Sequence, residues 1–439
     1  MSTPGGAGRA HDDALHLLAP GGCPVCAATR DGVEAWARAF VNEARADLEA
    51  MDGVRDALGF CPVHTRRMLA DPAASWVLPA VAAEVVAEGR ERLGGGLAGR
   101  RPAGVAVCPA CVRAARSADG AAGTLVTTLP DARVREAFEA AGGLCAPHLV
   151  DLAGDAASGR DGAAVRDLAA RLVLDRLEGA PGQDRLLAVT GDDPDAARRA
   201  ALFPALERLA AKDDEAAAEG GGAALARLWL ARPTCPLCTA AAVTGWRYVA
   251  WLVGAAAAPG RGDAPSRQDV VLCEVHLSDA AHVGGPRLDE VVEEAAGAAR
   301  ARVGRALTAP GRRGRAGRRD DPAAGLGCRA CSAAETALDR AWDLLDAVAA
   351  DGPLTAAARA GHGVCLRHGL RTAAGHGAAG RLFGEVLDGR LAVLAWDVRE
   401  GLRLGRWDTR FAPAGASATA WRRATTLLDG RIDLGTPVT

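Results

Sequence analysis

Apolar residues recur along this chain three and four positions apart, in separated blocks. Val33, Trp36, Phe40, Ala44 and Leu48 fall on one face of a helix, as do Val243, Trp246, Ala250 and Val253, and Leu338, Trp342, Leu345 and Val348. Further helical stretches run from Val81 to Leu93 and from Leu382 to Leu402. The pattern is weakest after Cys111, where Gly120 and Gly123 interrupt it. The aromatic residues keep helical spacing, so they read as core packing rather than as a binding stripe. An all-α fold with little or no sheet is expected.

Each stripe opens just after a CxxC pair. Pro24, Pro109 and Pro236 follow the first cysteine, the position at which a helix least needs an amide hydrogen, and Arg329 stands there in the fourth pair. A second kind of pair, CxxH, is preceded each time by an apolar residue (Phe60, Leu144, Leu272, Val364) placed to act as a hydrophobic staple. Both kinds read as helix N-termini, where the helix dipole favours a thiolate.

The pairs alternate at a constant interval. Cys23 and Cys26 are followed 35 residues later by Cys61 and His64; Cys108 and Cys111, 34 residues later, by Cys145 and His148. Cys235 and Cys238 precede Cys273 and His276 by 35 residues, and Cys328 and Cys331 precede Cys365 and His368 by 34. All 12 cysteines are used. Three thiolates and one imidazole make the closed set that structural zinc prefers, so four Zn2+ per chain are expected, with an iron–sulfur cluster on the same residues as the alternative. Disulfides would leave the four spaced histidines unexplained.

A continuous helix of that length would end about 50 Å away, so the chain must double back before each CxxH. Met51 to Gly53, Leu129 to Asp131, Pro259 to Pro265 and Asp351 to Pro353 are the expected reversals, giving roughly four helices per unit. Pairing within a unit puts Cys23, Cys26, Cys61 and His64 in the first site and the other quartets in the same order. An exchange, in which a CxxC meets the CxxH of its neighbour, satisfies the spacing too.

The units themselves come in twos. Cys23 to Cys108 spans 85 residues and Cys235 to Cys328 spans 93, against 127 from Cys108 to Cys235. This suggests two duplicated halves of tandem helical units, each unit clamped by a zinc site. The expected organisation is a flexible N-terminus over residues 1–13, a first half over 14–190, a helix and linker over 191–222, a second half over 223–403, and a C-terminal segment and helix over 404–439. KDDEAAAEGGG, from Lys212 to Gly222, marks the linker.

Composition narrows the chemistry. In 439 residues, 52 basic side chains meet 54 acidic ones for a net charge of −2, so no global attraction to nucleic acid or anionic lipid is expected. Lys212 is the only lysine, which excludes a P-loop or a Schiff base elsewhere. The opening residues show no charged start followed by an apolar run, and the longest apolar stretch, Tyr248 to Pro259, is far short of the roughly 20 residues that span a bilayer. A cytoplasmic protein with no membrane contact is expected.

With GFCPVH at Gly59 to His64, the CPxC pairs, and DTRFAPAGASATAWRRATTLLDG at Asp408 to Gly430, the chain resembles an uncharacterised bacterial family of CPxC and GFCxxH helical proteins that end in a Trp-Arg-Ala helix. It departs from that pattern at Thr409, where the family has an aromatic residue. The resemblance implies a helical fold and bound metal. It implies no activity, since none is assigned to the family.

The functional expectation is a binding or regulatory scaffold with an unidentified protein partner, its zinc ions structural. A thiol or metal sensor, or a zinc reservoir, is the alternative. Catalytic zinc needs an open position that these closed sets do not offer, and GxSxG, HExxH and a GxGxxG after a strand are all absent. An enzyme would need a pocket between the halves. The spare histidines His11, His16, His282, His362 and His376 are scattered; His362, in GHG, reads as a solvated loop residue. Eight arginines crowd residues 300–319 (Arg300, Arg302, Arg305, Arg312, Arg313, Arg315, Arg318 and Arg319), a tract that could neutralise phosphates of a nucleic acid. Its glycines and the following Asp320 and Asp321 favour a solvated linker.

Overall fold

The computed structural model describes residues 4–43, 47–98, 105–155, 160–254, 270–308, 327–349, 351–373, 377–405, 408–409, 413 and 415–429. Among these residues the chain is helical and contains no strand. The first block holds α1 (Pro4–Leu18), α2 (Pro24–Glu43), α3 (Leu48–Asp56), α4 (Pro62–Ala70) and α5 (Leu78–Leu97). The second holds α6 (Pro109–Thr128), α7 (Ala132–Ala140), α8 (Ala146–Asp155), α9 (Arg160–Gly179), α10 (Gly182–Thr190), α11 (Ala196–Ala200) and α12 (Phe203–Ala231). Then come α13 (Pro236–Leu252), α14 (Glu274–Val283) and α15 (Leu288–Thr308), and finally α16 (Arg329–Ala349), α17 (Gly352–Ala360), α18 (Leu366–Ala373), α19 (Gly377–Leu404) and α20 (Ala420–Asp429).

Eight of these helices begin at the residue after a motif cysteine. In each, the cysteine carbonyl accepts the first helical N–H, at 2.8–3.2 Å, so Cys23, Cys61, Cys108, Cys145, Cys235, Cys273, Cys328 and Cys365 are the N-cap residues. The second cysteine or the histidine of each pair then sits one turn in, on the same face. Proline follows the cysteine in α2, α4, α6 and α13, where its missing N–H is no loss. The short helices α3, α7 and α17 are capped instead by Asp47, Asp131 and Asp351, whose carboxylates accept N–H bonds from their first turns.

Two expected reversals, at Leu129 to Asp131 and at Asp351 to Pro353, coincide with these caps. The first lies earlier than expected: α2 stops at Glu43, and Met51 to Gly53 are inside α3. Leu48 therefore leaves the apolar face of α2 and stands 75% exposed at the start of α3. The third, Pro259 to Pro265, lies outside the described residues. Gly120 and Gly123 do not break α6, which runs on to Thr128.

The chain forms two compact units, and both are discontinuous. One comprises Met1–Glu34, Arg113–Phe203 and Gly245–Ala333; the other comprises Ala35–Val112, Pro204–Thr244 and Ala334–Thr439. Each draws on both of the sequence halves, and the boundaries fall inside α2, α6, α13 and α16 and at the start of α12. In the first unit α8, α9 and α10 pack on α15, and α10 and α11 on α14, around Phe138, Leu149, Leu177, Leu252, Val291 and Val303. In the second, α5 lies along α19, with α18 and α20 against both, while Trp229, Leu230, Leu237, Leu345 and Phe383 form a neighbouring core.

The stretch expected to be a linker is folded. Residues 212–219 continue α12, which breaks at Gly220 and Gly221, the latter at φ 60, and the remainder of the helix turns back. The turn is required by one bond. Trp229 Nε1 donates to Asp213 at 3.1 Å, although 16 residues of straight helix would separate them by about 24 Å. Arg232 donates to the same carboxylate at 2.5 Å, and Asp213 is buried. Acidic composition made this segment look solvated; its aspartate is the buried counter-ion of Arg232. Asp213→Ala is expected to lower unfolding stability by about 3–5 kcal/mol, because it strands a buried guanidinium. A loss below about 1 kcal/mol in denaturant titration would mean that Arg232 finds another partner.

Candidate metal centres

All sixteen motif residues gather into four clusters, each of three cysteines and one histidine whose donor atoms lie within 4.8 Å of one another. The pairing is exchanged. Site 1 is Cys23, Cys26, Cys145 and His148; site 2 is Cys61, His64, Cys108 and Cys111. Site 3 is Cys235, Cys238, Cys365 and His368; site 4 is Cys273, His276, Cys328 and Cys331. The expected within-unit order, with Cys23 and Cys26 meeting Cys61 and His64, is thus replaced by the neighbour arrangement.

Helix length explains why. α2 and α6 each have 20 residues and α16 has 21, spans of about 30 Å, whereas the return helices α3, α7 and α17 have nine residues each, about 14 Å. The return leg brings the CxxH less than halfway back. It meets instead the CxxC of a neighbouring block, the following one in sites 2 and 4 and the preceding one in sites 1 and 3. Sites 1 and 4 consequently lie in the first unit, and sites 2 and 3 in the second.

The four geometries agree closely. Histidine presents Nδ1 every time, 3.1–3.4 Å from the sulfurs of Cys23, Cys26 and Cys145 in site 1 and 3.1–3.7 Å from those of Cys61, Cys108 and Cys111 in site 2. The corresponding ranges are 3.3–3.4 Å in site 3 and 3.2–3.5 Å in site 4. Sulfur–sulfur approaches are 3.8, 3.8, 3.7 and 4.0 Å for Cys26–Cys145, Cys61–Cys111, Cys238–Cys365 and Cys273–Cys331. A disulfide would need about 2.05 Å, and none is present.

Crowding three sulfurs together pulls their protonation apart. The Cys145 and Cys26 thiols hold Cys23 well below the ordinary thiol range, while Cys145 is pushed well above it by Cys23. In site 2 the Cys111 and Cys61 thiols lower Cys108 to about 2, and Cys111 is correspondingly raised by Cys108. His148, although burial opposes its charge, is pushed up to about 10 by Cys23 and Cys26. Without a cation the set shares its protons; a divalent ion would let all three thiols ionise.

Neighbouring residues shape the sites in ways the sequence did not announce. Gly191, the C-cap of α10, sits at φ 75, and a Cβ there would lie 2.9 Å from Cys26 Sγ and 3.1 Å from Cys145 Sγ. VTGDD reads as a helix end, but nothing local in it points to site 1. Arg199 ties α11 to α14 beside site 4, pairing with Asp193 at 2.6 Å and Asp279 at 2.8 Å. His362 is half-buried, and its Nε2 is covered with no hydrogen-bond partner; burial, aided by Arg390 and opposed by Cys235, holds it below the usual imidazole range. That corrects the solvated-loop reading. His11 faces Asp131 at 3.8 Å, His282 Nδ1 contacts the Ser278 carbonyl oxygen at 2.9 Å, and His376 lies outside the described residues.

Of the arginine tract, Arg300 pairs with Glu293 and Arg302 with Glu274, each at 3.5 Å; residues 309–326 lie outside the described set. No described helix is long and apolar enough to cross a membrane. No protein-family model, curated protein or solved structure matches the chain.

Metal counting distinguishes the two pairings. Cys23→Ser with His148→Ala should remove one metal per chain, because both ligands serve site 1, whereas Cys23→Ser with His64→Ala should remove two. Within-unit pairing would reverse those numbers. Gly191→Ala should lower metal retention at site 1, since the methyl group cannot avoid both sulfurs at that φ; full retention against a competing chelator would show that α10 shifts instead.

Proposed function

We propose that each cluster holds one zinc ion, four per chain, and that the protein is a cytoplasmic binding or regulatory scaffold whose metal is structural. The carrying observation is the closed donor set, three sulfurs and one nitrogen, repeated four times with every donor within 4.8 Å of the others. Zinc bonds of about 2.3 Å to sulfur and 2.0–2.1 Å to nitrogen, at tetrahedral angles, separate the donors by about 3.8 and 3.6 Å. Sulfur–sulfur approaches of 3.7–4.0 Å and sulfur–nitrogen approaches of 3.1–3.7 Å suit that size. An iron–sulfur cluster would place several irons between its ligands and spread them further, so a single ion is the better fit.

Four protein donors leave no coordination position for a substrate, which favours a structural over a catalytic ion. The ion's chemistry is to neutralise charge and fix geometry: with a divalent cation each site carries about −1, facing two helix N-termini whose dipoles favour that charge. Cysteine N-caps orient the sulfurs, and the ion binds the two helix starts together. Apparent binding energies of about 10 kcal/mol or more per structural zinc would give alanine-rich helices stability that their limited apolar area does not supply. The family resemblance in the GFCPVH and Trp421 segments supports the same fold and metal, and adds no activity.

Elemental analysis of protein purified without added metal is expected to find four zinc ions per chain. Cobalt substitution should then give thiolate-to-metal charge transfer and the intense visible bands of tetrahedral cobalt at every site. Iron, or fewer than four tightly held ions, would overturn the assignment.

A further inference from the structure

The four sites share one donor geometry and differ in cover. Site 3 is the most enclosed, with Cys235 0% and Cys365 1% exposed. Sites 1 and 2 each contain a buried cysteine, and their other ligands are half-buried. Site 4 has no buried ligand, and Cys331 is the one exposed cysteine among the twelve. Resting on the reading of these clusters as zinc sites, we infer that Cys331 is a site of oxidative modification by hydroperoxides, and that site 4 releases its metal on oxidation while sites 1 to 3 keep theirs.

Access decides the reaction, because a thiolate attacks a peroxide oxygen along the O–O axis and needs open space in front of sulfur. Cys331 is the exposed ligand of the four in its site. It lies one turn into α16, and Cys331 N–H donates to Cys328 Sγ at 3.5 Å. Cys331 sulfur attacks one peroxide oxygen, the O–O bond breaks, and the departing hydroxide takes a proton to become water, leaving a sulfenic acid. The Cys273 thiolate, 4.0 Å away, then attacks the oxidised sulfur. The S–OH bond breaks and a second water leaves. Two thiolates have been oxidised by two electrons to one disulfide, and one hydroperoxide has been reduced with two protons from solvent.

The ion is then left with Cys328 and His276, half its donors. The sulfurs must close to about 2.05 Å, so the disulfide would draw the N-termini of α14 and α16 together in place of the metal. A dithiol restores the pair and allows zinc to return. The modification is therefore reversible and confined to one corner of the first unit.

The test follows zinc release with a chromogenic chelator as the four-zinc protein is titrated with hydrogen peroxide, with mass spectrometry of differentially alkylated cysteines at each step. One zinc per chain should leave in a fast phase as Cys331 and Cys273 become linked, with release from the other sites at least tenfold slower. Cys331→His keeps a fourth donor while removing the exposed sulfur, and should retain four zinc ions and lose the fast phase. Simultaneous release from all four sites, or first oxidation at Cys23, Cys108 or Cys235, would overturn the inference while leaving the zinc assignment intact. Protein that contains no zinc before peroxide would instead overturn the assignment itself. If Cys331→His binds only three ions, the alkylation pattern of the unaltered protein decides.

Discussion

A length mismatch governs this structure: a long helix leads away from each CxxC, and the return helices described in three of the blocks, α3, α7 and α17, have nine residues each. Thirty ångströms out and about fourteen back cannot close a ring. Each CxxH meets the CxxC of a neighbouring block, the following one in sites 2 and 4 and the preceding one in sites 1 and 3, and the four donor sets assemble between blocks. The units that result cannot be contiguous in sequence, because each long helix begins in one and ends in the other. Removing one block would leave two sites half-built, so no block is an independent domain.

The second constraint is electrostatic. Three sulfurs within 4.8 Å of each other resist joint ionisation, as the opposite displacements of Cys108 and Cys111 show. Helix N-termini offset part of that cost and a divalent cation the remainder. The N-cap position serves both needs at once, since the cysteine carbonyl starts the helix while its sulfur stays at the end that favours negative charge. Few other backbone positions place a CxxC or CxxH pair on one face with both donors forward.

Much of this was legible in the residues. Proline after cysteine marked three of the CxxC helix starts, the apolar periodicity marked the long helices, and Asp131 and Asp351 stood at the reversals. Pairing was not legible, because an interval of 34 or 35 residues is compatible with either partner until the lengths of both helices are known. The end of α2 was misplaced because Leu48 continues the heptad-like spacing beyond a break that Asp47 enforces through its cap. The segment from Lys212 to Gly222 misled by composition: charge and glycine suggest solvent, whereas Asp213 is buried against Trp229 and Arg232 in a hairpin that only tertiary contact reveals. His362 was hidden in the same way, its Nε2 buried although glycines flank it in the chain.

Written as brackets, the exchanged sites nest. Site 2 joins positions 44 to 50 residues apart, and site 1 encloses it with positions 119 to 125 apart. Site 4, 52 to 58 apart, is enclosed in the same way by site 3, 127 to 133 apart. Nested closures never cross, so the chain reaches this topology without threading one loop through another. The inner closure also shortens the outer one: once site 2 has joined its ends, the loop that site 1 must close contains a ready-made shortcut, and its entropy cost falls accordingly. Within-unit pairing would have made four independent rings in a row. Nesting makes the later ring in each half depend on the earlier, so a chain emerging from synthesis can complete its inner site before the CxxH of the outer one exists.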